Sequence, residues 1–121
     1  MIETHDLTVY YGRHRGIEHL DLAVEPGQVY GFLGPNGAGK TTTLRVLLDI
    51  IRPHAGRATV FGMDCQKEGV AIRRRVGYLP GELSLYGQLR ADQFLRLIND
   101  VRGRTADRVE IDRLCQQLGL D

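Results

Sequence analysis

The segment Gly34-Pro35-Asn36-Gly37-Ala38-Gly39-Lys40-Thr41 constrains this chain more than any other stretch. It fits the pattern G-x-x-x-x-G-K-[ST] at every fixed position. An apolar run, Val29 to Leu33, precedes it, and a helical pattern, Leu44 to Ile51, follows. Strand, glycine-rich loop and helix in that order are the context a phosphate-binding loop requires. An ordinary glycine turn would have to produce the glycines, the lysine, the threonine and both flanking elements together, so that reading is set aside.

The residue types follow from what a polyphosphate needs. Gly34, Gly37 and Gly39 have no β-carbon, so the backbone can take positive φ, approach the phosphates and aim successive N–H groups inward. The helix starting here leaves its first N–H donors unpaired and adds roughly half a positive charge from its dipole. Lys40 reaches the β- and γ-phosphates, the Thr41 hydroxyl is placed for Mg²⁺, and Thr42 adds a donor to the α-phosphate. Pro35, Asn36 and Ala38 complete the cradle. ATP or GTP with magnesium is the implied ligand.

Around the loop the pattern alternates between strands and helices. Residues 2 to 11 carry Leu7, Val9 and Tyr11 with period two, and after a turn-like stretch from Gly12 to Gly16 the segment Glu18 to Glu25 alternates Leu20, Leu22 and Val24 with Asp21, Ala23 and Glu25. These predict half-buried strands in a hairpin. Pro26-Gly27 predicts a turn, and Gln28 to Leu33 is nearly unbroken apolar, as expected of a strand covered on both faces in a parallel sheet. From Thr41, Leu44, Leu47, Leu48 and Ile51 recur at helical spacing, widened by Val46 and Ile50, until Pro53 stops a mostly buried helix.

A short strand is expected from Ala58 to Phe61, a helix with a basic end from Gln66 to Arg75, and another short strand from Val76 to Leu79. Two amphipathic helices follow, carrying Phe94, Leu97, Ile98 and Val101, then Ile111, Leu114, Cys115 and Leu118, with Gly103 between them. No internal repeat or flexible linker interrupts the chain.

Length and charge bound the remainder. The 121 residues suit one domain or part of one. The net charge of +1 carries no nucleic-acid footprint, and Arg73-Arg74-Arg75 reads as a solvated helix end favoured by the dipole. Cys65 and Cys115 are far apart, and His5, His14, His19 and His54 share no ligand spacing, so reduced cysteines and no zinc site are expected. No apolar run approaches the ~18 residues of a membrane span. If the protein works at a membrane, something else crosses it.

The loop wording GPNGAGKTT, the preceding PGQVYGFL, and the later LRVLLDIIRPHAGRATVFGMD and RVGYLPGELSLYGQL closely resemble the N-terminal part of the nucleotide-binding subunit of ATP-binding cassette (ABC) transporters. The wording is most similar to the bacterial subgroup that powers ABC-2-type exporters, including drug and antibiotic efflux pumps. The resemblance covers essentially residues 1–121. It implies an α/β, P-loop NTPase fold of ABC type: a mixed sheet with antiparallel N-terminal strands and a parallel core flanked by helices. It also implies ATP and Mg²⁺ as ligands, a separate transmembrane permease, a second nucleotide-binding domain forming a dimer sandwich, no nucleic acid, and a cytoplasmic position on the inner face of the cell membrane.

Residue by residue, the family places an adenine-stacking aromatic just before a glycine, which here is Tyr11 ahead of Gly12. An aromatic face on a base contributes about 1 to 3 kcal/mol in nucleic-acid systems. From periodicity, Tyr11 as a core-face residue, or Tyr10 as the stacking ring, stands equally well. The family's Q-loop glutamine, a ligand of magnesium and the attacking water, falls after Tyr78-Leu79-Pro80, where this chain has Gly81 and then Glu82. Glycine has no side chain to bind metal. Glu82 is the candidate catalytic carboxylate in its place, with a solvated turn residue the equal alternative.

Elements that hydrolysis needs in this family are not found after Leu118: the signature loop, the acidic Walker B strand with its following glutamate, and the switch histidine. The chain is therefore read as a partial domain, its N-terminal half, truncated before the signature and Walker B elements. An energy-coupling ATPase subunit of an exporter is the first reading. A nucleotide-binding remnant without hydrolysis or transport is the second, and a kinase or GTPase is disfavoured by the early strands and the loop wording.

Overall fold

The computed structural model describes residues 1–81, 88–103 and 106–119. The chain separates into two compact units, Met1–Tyr78 and Leu79–Asp121. The first unit holds β1 (Ile2–Tyr11), β2 (His14–Val24), α1 (Lys40–Leu47), β3 (Ala55–Val60), β4 (Met63–Asp64) and α2 (Gly69–Arg75). Its four strands form one sheet in the order β2-β1-β3-β4, every neighbouring pair antiparallel.

The hairpin turn is tighter than the sequence suggests. Tyr11 pairs with His14, leaving only Gly12-Arg13 as the loop, with Gly12 at φ +59° as a two-residue turn requires. Gly16 accordingly lies within β2 and is not part of the turn.

Bulges then break the simple alternation. Between the pairs Thr4–Leu22 and Leu7–Leu20 β1 carries one extra residue, and between Leu7–Leu20 and Val9–Ile17 β2 carries one. Asp6 and His19 sit in these irregular stretches, each at φ +50°. The β1 irregularity recurs against β3, where Gly56 faces it. A β-carbon on Gly56 would overlap the carbonyl oxygens of His5 and Asp6. Thr4, Leu7, Thr8 and Val9 are all buried, while Tyr11, expected on the face of Leu7 and Val9, stays half-exposed.

The core gathers under this sheet. Leu7, Val9 and Ile17 from the hairpin meet Val46 and Leu47 of α1, Ala58 and Val60 of β3, Cys65 and Ile72. Each large aliphatic so buried contributes about 1.5 to 3 kcal/mol. Leu7 and Ile72 are fully enclosed.

Helix α1 stops earlier than Pro53. Ile50 N–H donates to Arg45 O (2.8 Å) and Asp49 N–H to Val46 O (3.0 Å), with Asp49 at φ +54°. That is a Schellman ending, with aspartate in the left-handed position where glycine is commonest. Val46, Leu47 and Leu48 are buried as the stripe predicts; Leu44, within the helix, is exposed, and Ile50, past its end, is exposed too. Arg73 of α2 donates to Leu48 O (2.7 Å) and pairs with Asp49 (3.6 Å), joining the two helices.

Two strands expected from the sequence are absent among the described residues. Gln28 to Leu33 is an irregular connection, with Val29 and Leu33 103% and 90% exposed. A strand apolar on both faces forms only with sheet neighbours and covering layers, and none of the four strands pairs with this segment. The parallel core is therefore not formed among the described residues. Val76 to Leu79 is likewise irregular.

In the second unit, α3 (Ala91–Val101) and α4 (Arg108–Gln117) match the two amphipathic patterns. Asp107 caps α4 by accepting from Glu110 N–H (2.8 Å), and the Asn99 side-chain amide holds the turn between them by bonding both backbone groups of Ala106. No residue of either helix is buried.

Candidate functional site

The loop from Gly34 to Gly39 runs straight into the first turn of α1. Ala38 N–H closes a turn on Pro35 O (3.1 Å), and Gly37 and Gly39 take φ +88° and +87°, which β-carbons would strain. Gly39 caps the helix without any side-chain hydrogen bond, and no acidic residue occupies the first turn. The N–H donors of that turn and the positive end of the dipole are thus left for an external anion. Gly34, Pro35, Asn36, Gly37, Ala38 and Thr41 are all solvent-exposed, while Gly39 and Lys40 are half-buried.

Lys40 folds back across the loop it follows. Its ammonium donates to Gly34 O (2.5 Å) and Pro35 O (2.8 Å), which takes two of its three protons and holds the charge over the glycines. The three threonines after it diverge. Thr43, fully buried, donates to Gly39 O (3.0 Å); Thr42 is buried, its Oγ1 3.3 Å from the Tyr11 hydroxyl; Thr41 is an exposed residue.

The hairpin brings Tyr11 to this place and sends Tyr10 elsewhere. Tyr10 donates its hydroxyl to Glu18 (3.2 Å) and packs edge-on against His54, while its own N–H donates to His54 Nδ1. That partnership with Glu18 raises the Tyr10 hydroxyl above its usual pKa. Of the two tyrosines left open by periodicity, Tyr11 is the one beside the loop.

Gly16, which the sequence places in the turn, is the position that makes room for Tyr11 beside the loop. A β-carbon there would lie 2.9 Å from Val9 O and 3.1 Å from Tyr11 Cε2, so the bare backbone makes room for the ring. A glycine inside a strand pattern signals such a close approach. Beside it, Arg15, Ile17, Glu18, Leu20, Phe32, Gly37 and Ala38 line a cavity of about 290 Å³ against the loop.

The arrangement fits a magnesium polyphosphate. Mg²⁺ takes oxygen ligands and commonly completes its shell from the phosphates themselves. Thr41, an exposed residue at the start of α1, carries one hydroxyl oxygen of that kind. Gly81 is exposed and belongs to the second unit; Glu82 lies outside the described residues.

The family model for the ABC transporter matches residues 17–121, and the chain belongs to that family. It is 38% identical over 99% of its length to the probable multidrug ABC transporter ATP-binding protein YbhF of Escherichia coli, covering 21% of that protein. It is 44% identical over 82% of its length to the bacitracin transport ATP-binding protein BcrA of Bacillus licheniformis, covering 32% of it. The chain thus spans between a fifth and a third of these relatives. Among solved structures, a putative ABC transporter ATP-binding protein from Pyrococcus furiosus superposes with a TM-score of 0.77 at 25% identity, over 95% of this chain and 55% of that one. The fold is the α/β P-loop NTPase fold of ABC type expected from the resemblance. Among the described residues, no helix is long and apolar enough to cross a membrane.

Proposed function

We propose that residues 1–121 form the N-terminal part of a nucleotide-binding domain that takes up ATP with magnesium and serves as the ATP-binding component of a bacterial exporter. The observation that carries this is the phosphate cradle: Lys40 held over Gly34 and Pro35 at the N-terminus of a helix with no acid in its first turn. In this reading Gly34 to Thr42 hold the triphosphate, Thr41 contributes to the metal, and Tyr11 carries the purine. ATP supplies the energy of its phosphoanhydride when bound, and this chain's residues bind and orient it. The names of the relatives, which refer to multidrug and bacitracin transport, support export as the process served. The partners proposed are a separate transmembrane permease and a second nucleotide-binding domain, at the cytoplasmic face of the membrane.

Titration with a fluorescent ATP analogue tests the reading. Lys40→Ala removes a charged hydrogen bond of roughly 1.5 to 3 kcal/mol, so affinity is expected to fall on the order of 10- to 100-fold. Equal affinities in the two forms, or no uptake by the folded wild type, reject it.

A further inference from the structure

We propose that Tyr11 acts on the phosphates as well as on the base, as a positioning residue working through Thr42. In this relay the Tyr11 hydroxyl donates to Thr42 Oγ1, and the Thr42 hydroxyl donates to a phosphate oxygen bound at the start of α1. The proposal rests on the nucleotide-binding reading of the loop and adds a coupling between its two halves.

The two hydroxyl oxygens are 3.3 Å apart across 31 residues of sequence, and either one can be the donor. Thr42 is only 8% exposed and is the third residue of α1, so its hydroxyl lies within the helix turn whose N–H groups face the cradle. Its neighbour Thr43 spends its proton on the Gly39 carbonyl, a purely internal bond. The Cδ2 and Cε2 edge of Tyr11 fills the space that a side chain on Gly16 would take, 3.2 and 3.1 Å from where its β-carbon would stand.

A hydroxyl has one proton and two lone pairs. A phosphate oxygen is only an acceptor, so Thr42 must donate to it, and the Tyr11–Thr42 bond then has a single permitted direction, with Tyr11 donating. The phenol is suited to that role, since it is the more acidic of the two hydroxyls. Donors in series polarise one another, strengthening the outer bond. The ring that meets the purine is thereby oriented by the same threonine that meets the phosphates.

Inorganic tripolyphosphate separates this from stacking, because it has no base to touch the ring. Its affinity and that of ATP are measured by calorimetry for the wild type, Tyr11→Phe, Thr42→Val, the double variant and Thr42→Ser, each checked for a cooperative thermal transition. Tyr11→Phe, which deletes one oxygen, is expected to weaken tripolyphosphate by about 3- to 10-fold. Thr42→Val is expected to weaken it too, the double variant no further, and Thr42→Ser to restore it. Wild-type tripolyphosphate affinity in Tyr11→Phe overturns the relay, as does an equal loss from Tyr11→Phe in the Thr42→Val background. ATP uptake by the wild type without measurable tripolyphosphate binding overturns it as well. Absence of ATP uptake by the wild type rejects the nucleotide reading itself, a separate result.

Discussion

Gly39, at φ +87°, lies so close to Ile17 of β2 that a β-carbon on it would overlap the Ile17 Cγ2 methyl and the carbonyl oxygen of Gly16. The hairpin is thus the floor of the phosphate loop. Glycine is required here for two reasons at once, a left-handed backbone and a close approach.

Gly39→Ala is expected to destabilise the first unit by at least about 2 kcal/mol, since the left-handed conformation costs about 1 to 2 kcal/mol and overpacking adds to it. Gly27, at φ +79° with open space around it, provides the control. Its alanine variant is expected to lose only the backbone part. Urea unfolding measures both, and equal midpoints for the two variants would contradict the packing argument.

Thr41→Ala should separate metal from phosphate. The Thr41 hydroxyl is the oxygen assigned to Mg²⁺, so the gain in nucleotide affinity on adding magnesium is expected to shrink several-fold in the variant. With excess EDTA the two proteins are expected to bind alike. A variant with the full magnesium response removes Thr41 from the metal site.

Stability should fall as pH rises above 6.5 because of the bulged hairpin. The His19 ring bonds the Asp6 carboxylate, and this raises its pKa above the ordinary 6.5, helped by the Asp6 charge and more weakly by Glu18 and Asp21. A raised folded value means the stabilisation is complete below 6.5 and is lost as pH climbs through that folded value. The pair is exposed, so the effect is small. Asp6→Asn keeps a side chain that tolerates the left-handed backbone at φ +50° and removes the charge. Melting temperatures from about pH 6 to about pH 9 should fall more steeply in the wild type than in the variant. Parallel curves would show that the pair contributes nothing.

Cys65 should be chemically silent in the folded protein. It is 1% exposed, and burial, with Asp64 and Asp49 nearby, pushes its thiol up to about 11. Thiolate is the reactive form and is nearly absent at neutral pH. Iodoacetamide followed by peptide mapping is expected to leave Cys65 unmodified until guanidinium is added. Rapid native labelling would show that the core around it opens.

Much of the site was legible as a string of residues. The glycines, Lys40 and Thr41 fall within one short segment, Gly34 to Thr41, so their arrangement is local. The failures are where a neighbour decides. Gly16 looked like turn punctuation because nothing nearby in sequence announces the ring of Tyr11 or the approach of Gly39. Helix α1 looked as if it ran to Pro53, since periodicity does not register that Asp49 takes a left-handed cap and bonds back to Val46. The bulges at Asp6 and His19 were invisible for the same reason: an extra residue on one strand has meaning only against its partner.

The order of amino acids therefore determined that a glycine-rich loop opens a helix with Lys40 folded back over it, because a short run of main chain suffices to make that arrangement. Tertiary structure decided which tyrosine stands beside it, since Glu18 and His54 hold Tyr10 away while the Tyr11 hydroxyl reaches Thr42. It also decided that Val29 and Leu33 remain in solvent, because an apolar segment becomes a strand only when other strands lie alongside it.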